Sequence, residues 1–217
     1  MRLGMPRPAA SVAAAVLVAV AIFAFFGHAF LNYDSFYALV WGKDVVHGIA
    51  PDYKVPVAPT PHPLAIAVGA ILSPFGDSAE DVFLALVLLA MGAIAVALYR
   101  LGRELYAWPV GLLAAAIYAT RVPPDNFGIR GYVDLPAIAF ILWAAVLEAR
   151  RPRRGWPVLV LLGLAGLLRP EAWLFIAAYW LWLFPALDWP ARLRFAALAA
   201  AAPVIWGVSD LLVTGDA

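Results

Sequence analysis

The sequence contains no cysteine and few charged residues. The lack of cysteine excludes disulfide bonds, thiolate metal sites and a cysteine nucleophile. Charged residues make up 13% of the 217 residues, whereas an ordinary soluble domain carries about 25%. The net charge of +1 provides no basic surface for nucleic acid, so no nucleic-acid partner is expected.

Common catalytic motifs are absent as well. The chain has no His-Glu-x-x-His zinc motif, no Gly-x-Ser-x-Gly nucleophile motif and no glycine-rich loop that would hold phosphates. The polar groups that the predicted outer side offers instead are mainly carboxylates and arginines. Such groups beside a membrane cavity suit a lipid-linked substrate with an anionic headgroup better than a nucleotide.

Long apolar runs dominate the chain instead. Hydrophobic residues make up 65% of it, and the mean hydropathy is +0.88. Residues 9–31 and 195–213 each approach the ~20 residues that cross ~30 Å of hydrocarbon, which predicts an all-α, polytopic protein with the lipid bilayer as its solvent. Gly27-His28-Ala29 could end a signal peptide, but the run before it exceeds the ~7–15 residues of a signal core. An uncleaved first helix is therefore preferred.

The positions of arginine predict the topology. Four basic clusters recur along the chain: Arg2/Arg7, Arg100/Arg103, residues 150–154 and Arg192/Arg194. The positive-inside rule assigns all four to the cytoplasm, so an even number of crossings must separate consecutive clusters. One of the three apolar segments between the first two clusters therefore does not span. The weakest is residues 64–75, which Pro63 and Pro74 flank and which has the length of a re-entrant or interfacial segment.

The resulting prediction is a single transmembrane module over residues 1–217 in the cell (plasma) membrane, with a cytoplasmic N-terminus and an outer C-terminus. The first outer loop, residues 32–81, carries interfacial helices. Pro-Pro and two glycines within residues 121–132 predict a second outer loop. About seven transmembrane helices are expected, at about residues 9–31, 82–99, 109–120, 133–149, 157–168, 172–187 and 195–213.

Polar residues of the predicted outer loops are functional candidates, because charge near hydrocarbon is costly. Asp34 follows the first helix directly, where both a helix N-cap and a catalytic carboxylate are possible. His62 lies in Pro-Thr-Pro-His-Pro, and a solvated histidine is the simpler interpretation. Arg130 and Asp134 stand four residues apart. An ion pair within one helix therefore competes with a phosphate site at the arginine and a metal or hydroxyl site at the aspartate.

A third outer turn carries Arg169 and Glu171 on either side of Pro170. Mutual neutralisation of the two charges is one interpretation, and a ligand site formed by Arg169 below the outer surface is the other. The nine tryptophans lie largely near predicted helix ends, which is typical of an aromatic belt at the membrane interface.

Four short motifs resemble those of the GT-C superfamily of polyprenyl-phosphate-sugar-dependent glycosyltransferases, in particular its protein mannosyltransferase and lipid A aminoarabinose transferase branch. They are Tyr33-Asp34 after the first helix, Tyr53 with a later Pro-His-Pro-Leu64, Arg130-x-x-x-Asp134, and Leu-Leu-Arg-Pro-Glu171. The family's conserved module has seven helices with interfacial helices in the first outer loop. The resemblance covers essentially the whole chain, although Ser35 follows Asp34 where many members have a second carboxylate.

The resemblance implies an inverting transfer of a hexosyl or pentosyl unit from a polyprenyl-phosphate donor to a lipid, glycan or protein hydroxyl on the outer face. Asp34 would be the catalytic general base. Arg130 and Arg169 would face the leaving phosphate, with Lys54 and His62 in support. Asp134 would orient the acceptor or bind a divalent cation, Mg²⁺ or Mn²⁺, which some relatives use. The other substrate-binding candidates are Tyr33, Asp44, Tyr53 and Glu171.

A non-enzymatic membrane protein is the alternative, either a transporter-like subunit or an assembly partner whose outer charges bind an anionic lipid. Family members usually continue past the seventh helix, whereas this sequence ends at Thr214-Gly-Asp-Ala217. The resemblance therefore predicts the N-terminal module of a longer enzyme. A full catalytic set favours the enzyme, and a missing acceptor site favours the alternative.

Overall fold

The computed structural model describes the backbone of residues 8–215 and the side chains of residues 9–121 and 126–215. This part of the chain forms ten α-helices and two short 3₁₀ turns and contains no strand, which confirms the all-α prediction. The 3₁₀ turns are Ser73–Phe75 and Phe184–Ala186. The helices are α1 (Pro8–Phe26), α2 (Tyr33–Val46), α3 (Pro63–Leu72), α4 (Ser78–Leu105), α5 (Trp108–Ala119), α6 (Val122–Ile129), α7 (Asp134–Arg150), α8 (Trp156–Gly166), α9 (Ala172–Leu183) and α10 (Trp189–Thr214).

Three helices are long and apolar enough to cross a membrane: Ala9–Phe26, Ser78–Leu105 and Trp189–Thr214. The other predicted crossings are shorter. α5, α8 and α9 contain 12, 11 and 12 residues, so each extends only about 16–18 Å at ~1.5 Å per residue. α7 has 17 residues and carries Asp134, Glu148 and Arg150. The structure thus supports a helical fold with three candidate membrane spans, and seven crossings stay a prediction.

Local chemistry moves several helix boundaries away from the predicted ones. α1 ends at Phe26, not at residue 31, because Gly27 has a φ of 73° and ends the helix in a left-handed conformation. α10 begins before residue 195, since the Asp188 carboxylate accepts a hydrogen bond from the Ala191 N–H at 2.9 Å. α4 extends beyond the predicted 82–99 at both ends.

The prediction of a loop between α5 and α7 is wrong, because residues 122–129 form the short helix α6. Both prolines of this segment lie in the first helical turn, where a missing N–H leaves no intrahelical hydrogen bond unmade. The chain then turns into α7 at Gly131, which has a φ of 64°. Proline and glycine therefore set the ends of a helix here instead of preventing one.

α4 is the central helix of the bundle and packs against α1, α3, α5, α6 and α7. Met91, Ile94 and Ala97 on α4 are almost completely buried. Gly92 faces the backbone of Ala15 on α1 and leaves no room there for a Cβ atom. A second apolar cluster joins α7, α8, α9 and α10. The core therefore continues from the first to the last of the described helices.

Residues 32–81, the predicted first outer loop, do contain the helices α2 and α3, while their interfacial position stays a prediction. They pack closely because Gly42 and Gly69 leave no space for a side chain between the two backbones. The pair is tied to the rest of the bundle at the start of α3, where the Leu64 N–H donates to the Leu167 carbonyl at 3.2 Å. α3 therefore begins beside the C-terminal end of α8.

The chain after α1 lies against the end of α6. The Phe30 N–H donates to the Ile129 carbonyl at 2.8 Å, and the Asn32 N–H donates to the Arg130 carbonyl at 2.7 Å. Together with the contact between α3 and α8, these bonds bring four segments to one end of the bundle. We call it the His62 end and define it by residues 28–35, 62–64, 129–134 and 167–173.

Candidate functional site

An ion pair between α7 and the turn after α8 lies at the centre of the His62 end. Arg169 Nη2 and Asp134 Oδ2 are 2.5 Å apart, and their side chains are 30% and 38% exposed. This pairing rules out both of the ion pairs that the sequence left open, Arg130 with Asp134 and Arg169 with Glu171. Asp134 begins α7 while Arg130 follows α6, so the two do not share a helix, and Glu171 is exposed without pairing to Arg169.

Arg130 packs against aromatic rings instead of a carboxylate. Its guanidinium carbon lies 5.9 Å from the Phe30 ring centroid and 5.5 Å from that of Tyr132. No carboxylate among the described side chains lies within ion-pair distance of it. Its charge is therefore available to an anionic ligand at the His62 end, as the sequence predicts for a phosphate site.

His62 is buried, with 2% of its surface exposed, so the interpretation of a solvated histidine is wrong. Its ring meets Trp206 of α10 edge to face, with centroids 6.0 Å apart. Neither ring nitrogen has a well-formed hydrogen bond to a described residue. The backbone carbonyl of Leu168 nevertheless lies close enough to favour the protonated ring. A buried imidazole with so few partners is a group that a ligand could satisfy.

Charges from three segments act on His62. Burial and the positive charge of Arg169 lower the pKa of the imidazole, whereas the carboxylates of Asp34 and Asp134 raise it, and the net direction is downward. Asp34, Asp134 and Arg169 are therefore near enough to His62 for their charges to act on it, and we call these four residues the His62 cluster. The sequence predicted all four as site residues but did not predict how they are arranged relative to one another.

The lowered pKa of His62 predicts a loss of stability in acid. Below pH 6.5, the ordinary pKa of histidine, the unfolded chain takes up the proton while the folded chain resists it, so acidification favours unfolding. We expect the melting temperature to fall more between pH 7.5 and 5 in the wild type than in His62→Gln, measured in one detergent. His28→Gln removes an exposed histidine and should keep the wild-type slope. An unchanged slope in His62→Gln would contradict the burial argument.

Asp34 lies in the first turn of α2 and is half-buried. The N-cap of this helix is Asn32, whose Oδ1 accepts a hydrogen bond from the Ser35 N–H at 2.9 Å. Capping by Asp34, which the sequence left open, is therefore wrong. Ser35 is fully buried, and its hydroxyl donates to the Gly131 carbonyl. These bonds fix the turn that carries Asp34 while leaving its carboxylate without a hydrogen-bonding side chain among the described residues.

Tyr33 and Tyr53 lie at opposite ends of a row of aromatic rings. Tyr33 contacts Tyr37 at 4.9 Å, Tyr37 contacts Trp41 at 5.1 Å, and Trp41 contacts Tyr53 at 4.7 Å between ring centroids. Burial, together with the negative charge of Asp210, raises the pKa of Tyr53 to about 12. Tyr53 is therefore a neutral hydroxyl that supports α2 beside α10.

Lys54, Asp44 and Glu171 lie apart from the His62 cluster. Lys54 Nζ donates to the Thr214 carbonyl at 3.0 Å, so it caps the C-terminal end of α10. Asp44 is near the end of α2, about 15 Å along the helix from Asp34 at ~1.5 Å per residue. Glu171 is exposed and its side chain does not cap α9. No contact of these three side chains supports their prediction as substrate ligands.

Three residues near the cluster were not predicted as site residues. Trp206 and Trp173 meet edge to face at 5.9 Å, and Trp206 also covers His62. Trp206 is 7% exposed, so it does not belong to an interfacial belt. Asp210 is a half-buried carboxylate in the apolar helix α10, and its charge acts on Tyr53. The sequence signal for Asp210 was a lone acid within a hydrophobic run.

An apolar cavity has a volume of about 490 Å³, within the ~300–1,000 Å³ range of ligand pockets. It lies among α3, α4, α7 and α8, and no charged side chain lines it. Three of its lining residues, Leu64, Val133 and Leu168, belong to the His62 end and lie within two positions in the chain of His62, Asp134 and Arg169. The cavity is therefore apolar, and one part of its wall is formed by residues next to the His62 cluster in the chain.

A metal site at Asp134 has little support from the arrangement of side chains. The described residues contain no group of three or more histidine, aspartate or glutamate side chains that could hold a metal ion. Asp134 Oδ2 is bound by Arg169, whereas Mg²⁺ and Mn²⁺ favour several oxygen ligands. The described residues therefore do not fit a divalent cation.

A comparison of the chain with models of known protein families, with curated proteins and with solved structures finds no match. The chemistry of the site therefore rests on its own geometry.

Proposed function

We propose that this chain is a membrane glycosyltransferase that moves a sugar from a polyprenyl-phosphate donor to a hydroxyl acceptor. The observation that supports it best is the apolar cavity whose lining residues Leu64, Val133 and Leu168 adjoin the His62 cluster in the chain. A polyprenyl phosphate consists of an apolar isoprenoid chain and an anionic phosphate. Apolar walls suit the isoprenoid chain, and the nearby guanidinium of Arg169 suits the phosphate.

In this proposal, Asp34 accepts the proton of the acceptor hydroxyl as the hydroxyl oxygen attacks C1 of the sugar. The new C1–O bond forms while the bond from C1 to the phosphate oxygen breaks on the opposite face, which inverts the configuration. Arg169 and Arg130 stabilise the negative charge of the departing polyprenyl phosphate. Asp134 holds Arg169 by their ion pair, and His62 offers a neutral ring nitrogen to a phosphate oxygen or an acceptor hydroxyl.

The proposal includes seven crossings formed by α1, α4, α5, α7, α8, α9 and α10, with the His62 end outside. α2, α3 and α6 would lie at the outer interface. α5, α8 and α9 are shorter than the ~30 Å hydrocarbon layer, which local thinning of the bilayer accommodates.

Single cysteines test this topology, because the chain has no native cysteine. Thr120 and Arg151 are exposed, in the connections after α5 and α7. An impermeant maleimide is expected to label Thr120→Cys on intact cells and Arg151→Cys only after permeabilisation. Labelling of both from the same side would contradict the seven-crossing topology.

The activity is tested in proteoliposomes that contain a radiolabelled polyprenyl-phosphate sugar and hydroxyl acceptors of the lipid, glycan and peptide classes. Transfer of label to one acceptor class, absent from protein-free liposomes, is the expected result. If the protein binds the lipid donor but moves no sugar to any class, the enzyme proposal fails and the non-enzymatic alternative is favoured.

A further inference from the structure

Arg100 is a buried arginine at the end of α4 opposite to the His62 end. It is 7% exposed, although the sequence suggests only a topogenic cytoplasmic charge. Leu84, which lies beside Gly131 at the His62 end, is 16 residues earlier on the same helix, or about 24 Å at ~1.5 Å per residue. The two regions are therefore distinct.

The partners of Arg100 are neutral. Its Nη2 donates to the hydroxyl of Ser11 on α1, and its guanidinium carbon lies 5.1 Å from the centroid of the Trp143 ring on α7. Its Nε is buried without a hydrogen-bond partner in the described part of the chain. Among the side chains that the structure describes, no carboxylate lies within ion-pair distance of Arg100. A buried guanidinium without a counter-charge is costly, which indicates that an anion is missing.

The acidic residue of α7 at this end is already engaged. Glu148 Oε2 accepts a hydrogen bond from the Tyr179 hydroxyl at 2.7 Å, and Oε1 accepts one from the Trp182 indole at 3.0 Å. Its oxygens also accept the backbone N–H groups of Arg153 and Arg154. Glu148 therefore forms no ion pair with Arg100 or Arg150.

A second arginine lies near Arg100. Arg150 at the end of α7 is close enough for its positive charge to act on Arg100, and its own Nε is buried without a hydrogen-bond partner among the described residues. No described carboxylate lies within ion-pair distance of either arginine. Two such guanidinium groups suit a phosphate, because each can donate two parallel hydrogen bonds to phosphate oxygens.

An apolar groove of about 210 Å³ leads to Arg100 between α1, α4 and α5. Its walls include Ala14, Val18, Val96 and Leu112, and its lining residues with polar side chains are Ser11, Tyr99 and Arg100. Apolar walls give no favourable contact to free phosphate, whereas an acyl chain gains stability by burying its apolar surface against them. We propose that Arg100 and Arg150 bind the phosphodiester headgroup of an anionic phospholipid, with one acyl chain in this groove.

The test measures lipid binding to the full chain in neutral detergent, by native mass spectrometry and by the shift in melting temperature. The probes are phosphatidylglycerol, phosphatidylcholine with the same acyl chains, and inorganic phosphate. Phosphatidylglycerol should bind the wild type in preference to phosphatidylcholine, and Arg100→Gln should weaken its binding about tenfold, the effect of losing one charge-assisted hydrogen bond. Arg151→Gln removes the same charge from an exposed position and should change binding less than about twofold.

Arg150→Gln provides a second variant if Arg100→Gln does not fold, and it should weaken phosphatidylglycerol binding in the same direction. Equal losses in Arg151→Gln would mean diffuse surface attraction and would overturn the proposal. The proposal would also be overturned if none of the substitutions changed phosphatidylglycerol binding. It would likewise be overturned if inorganic phosphate raised the melting temperature as much as phosphatidylglycerol does.

Discussion

Replacement of Asp34 by asparagine is expected to lower sugar transfer about 10²- to 10⁴-fold, the usual loss when a general base is removed. Asparagine keeps the size of the side chain but cannot take a proton. The cap of α2 should survive because Asn32, not Asp34, accepts the Ser35 N–H. Loss of a carboxylate from the first turn costs only about 0.3–1 kcal/mol through the helix dipole. Initial rates of transfer and the melting temperature should therefore separate chemistry from folding.

Asp77→Asn is the matched control for this experiment. Asp77 is an exposed acid at the N-cap position of α4, and its side chain makes no capping hydrogen bond. The same amide substitution there should leave transfer within about twofold of the wild type, because a surface charge contributes little. Equal activity of Asp34→Asn and Asp77→Asn would show that Asp34 is not the base. Equal loss in both would point to net charge and not to a catalytic group.

Arg169→Gln is expected to lower transfer about 10²- to 10³-fold, as when one donor to a developing anion is removed. Stability should change far less. The ion pair with Asp134 has side chains that are 30% and 38% exposed, and solvent screening holds such pairs to about 0–1 kcal/mol. A large loss of kcat at an almost constant melting temperature is the expected signature. Asp134→Asn should release Arg169 and produce a smaller loss.

Two further variants test whether the loss of transfer depends on the guanidinium group at position 169. Arg169→Lys keeps the charge but lacks the planar fork, so it should restore only part of the activity. Arg121→Gln removes an exposed arginine at the start of α6 and should not change the rate. If the loss of transfer in Arg169→Gln, Arg169→Lys and Asp134→Asn followed the loss of melting temperature, Arg169 would be a structural residue.

Hydrophobic runs and helix-ending residues predicted most of the helices. α5, α7 and α8 lie within two residues of their predicted bounds, because length and apolar composition are properties of the segment itself. The errors arose at helix ends, where the position of the boundary depends on a single residue. Gly27 ends α1 early, and the Asp188 cap starts α10 early. α6 was missed because proline was taken to oppose a helix, although in the first turn it does not.

The sequence predicted which residues belong to the candidate site but not which of them contact one another. Asp34, His62, Asp134 and Arg169 were all identified because charge beside an apolar segment is costly to retain. Their pairing depends on how α7 and the turn after α8 meet, and sequence spacing suggested Arg130 as the partner of Asp134. The sequence also failed to predict burial. His62 lies in a proline-rich segment and Arg100 in a basic cluster, and side chains in such segments are usually exposed to solvent.

The sequence alone determined that this protein is helical, apolar and without cysteine chemistry, because composition and the length of apolar runs do not depend on how helices are arranged. Only the tertiary structure decided that Asp134 meets Arg169, that Asn32 frees Asp34 from capping, and that Arg100 is buried without a counter-charge. These properties come from residues far apart in the chain. Their distances and solvent exposure are set by helix packing, which no local pattern encodes.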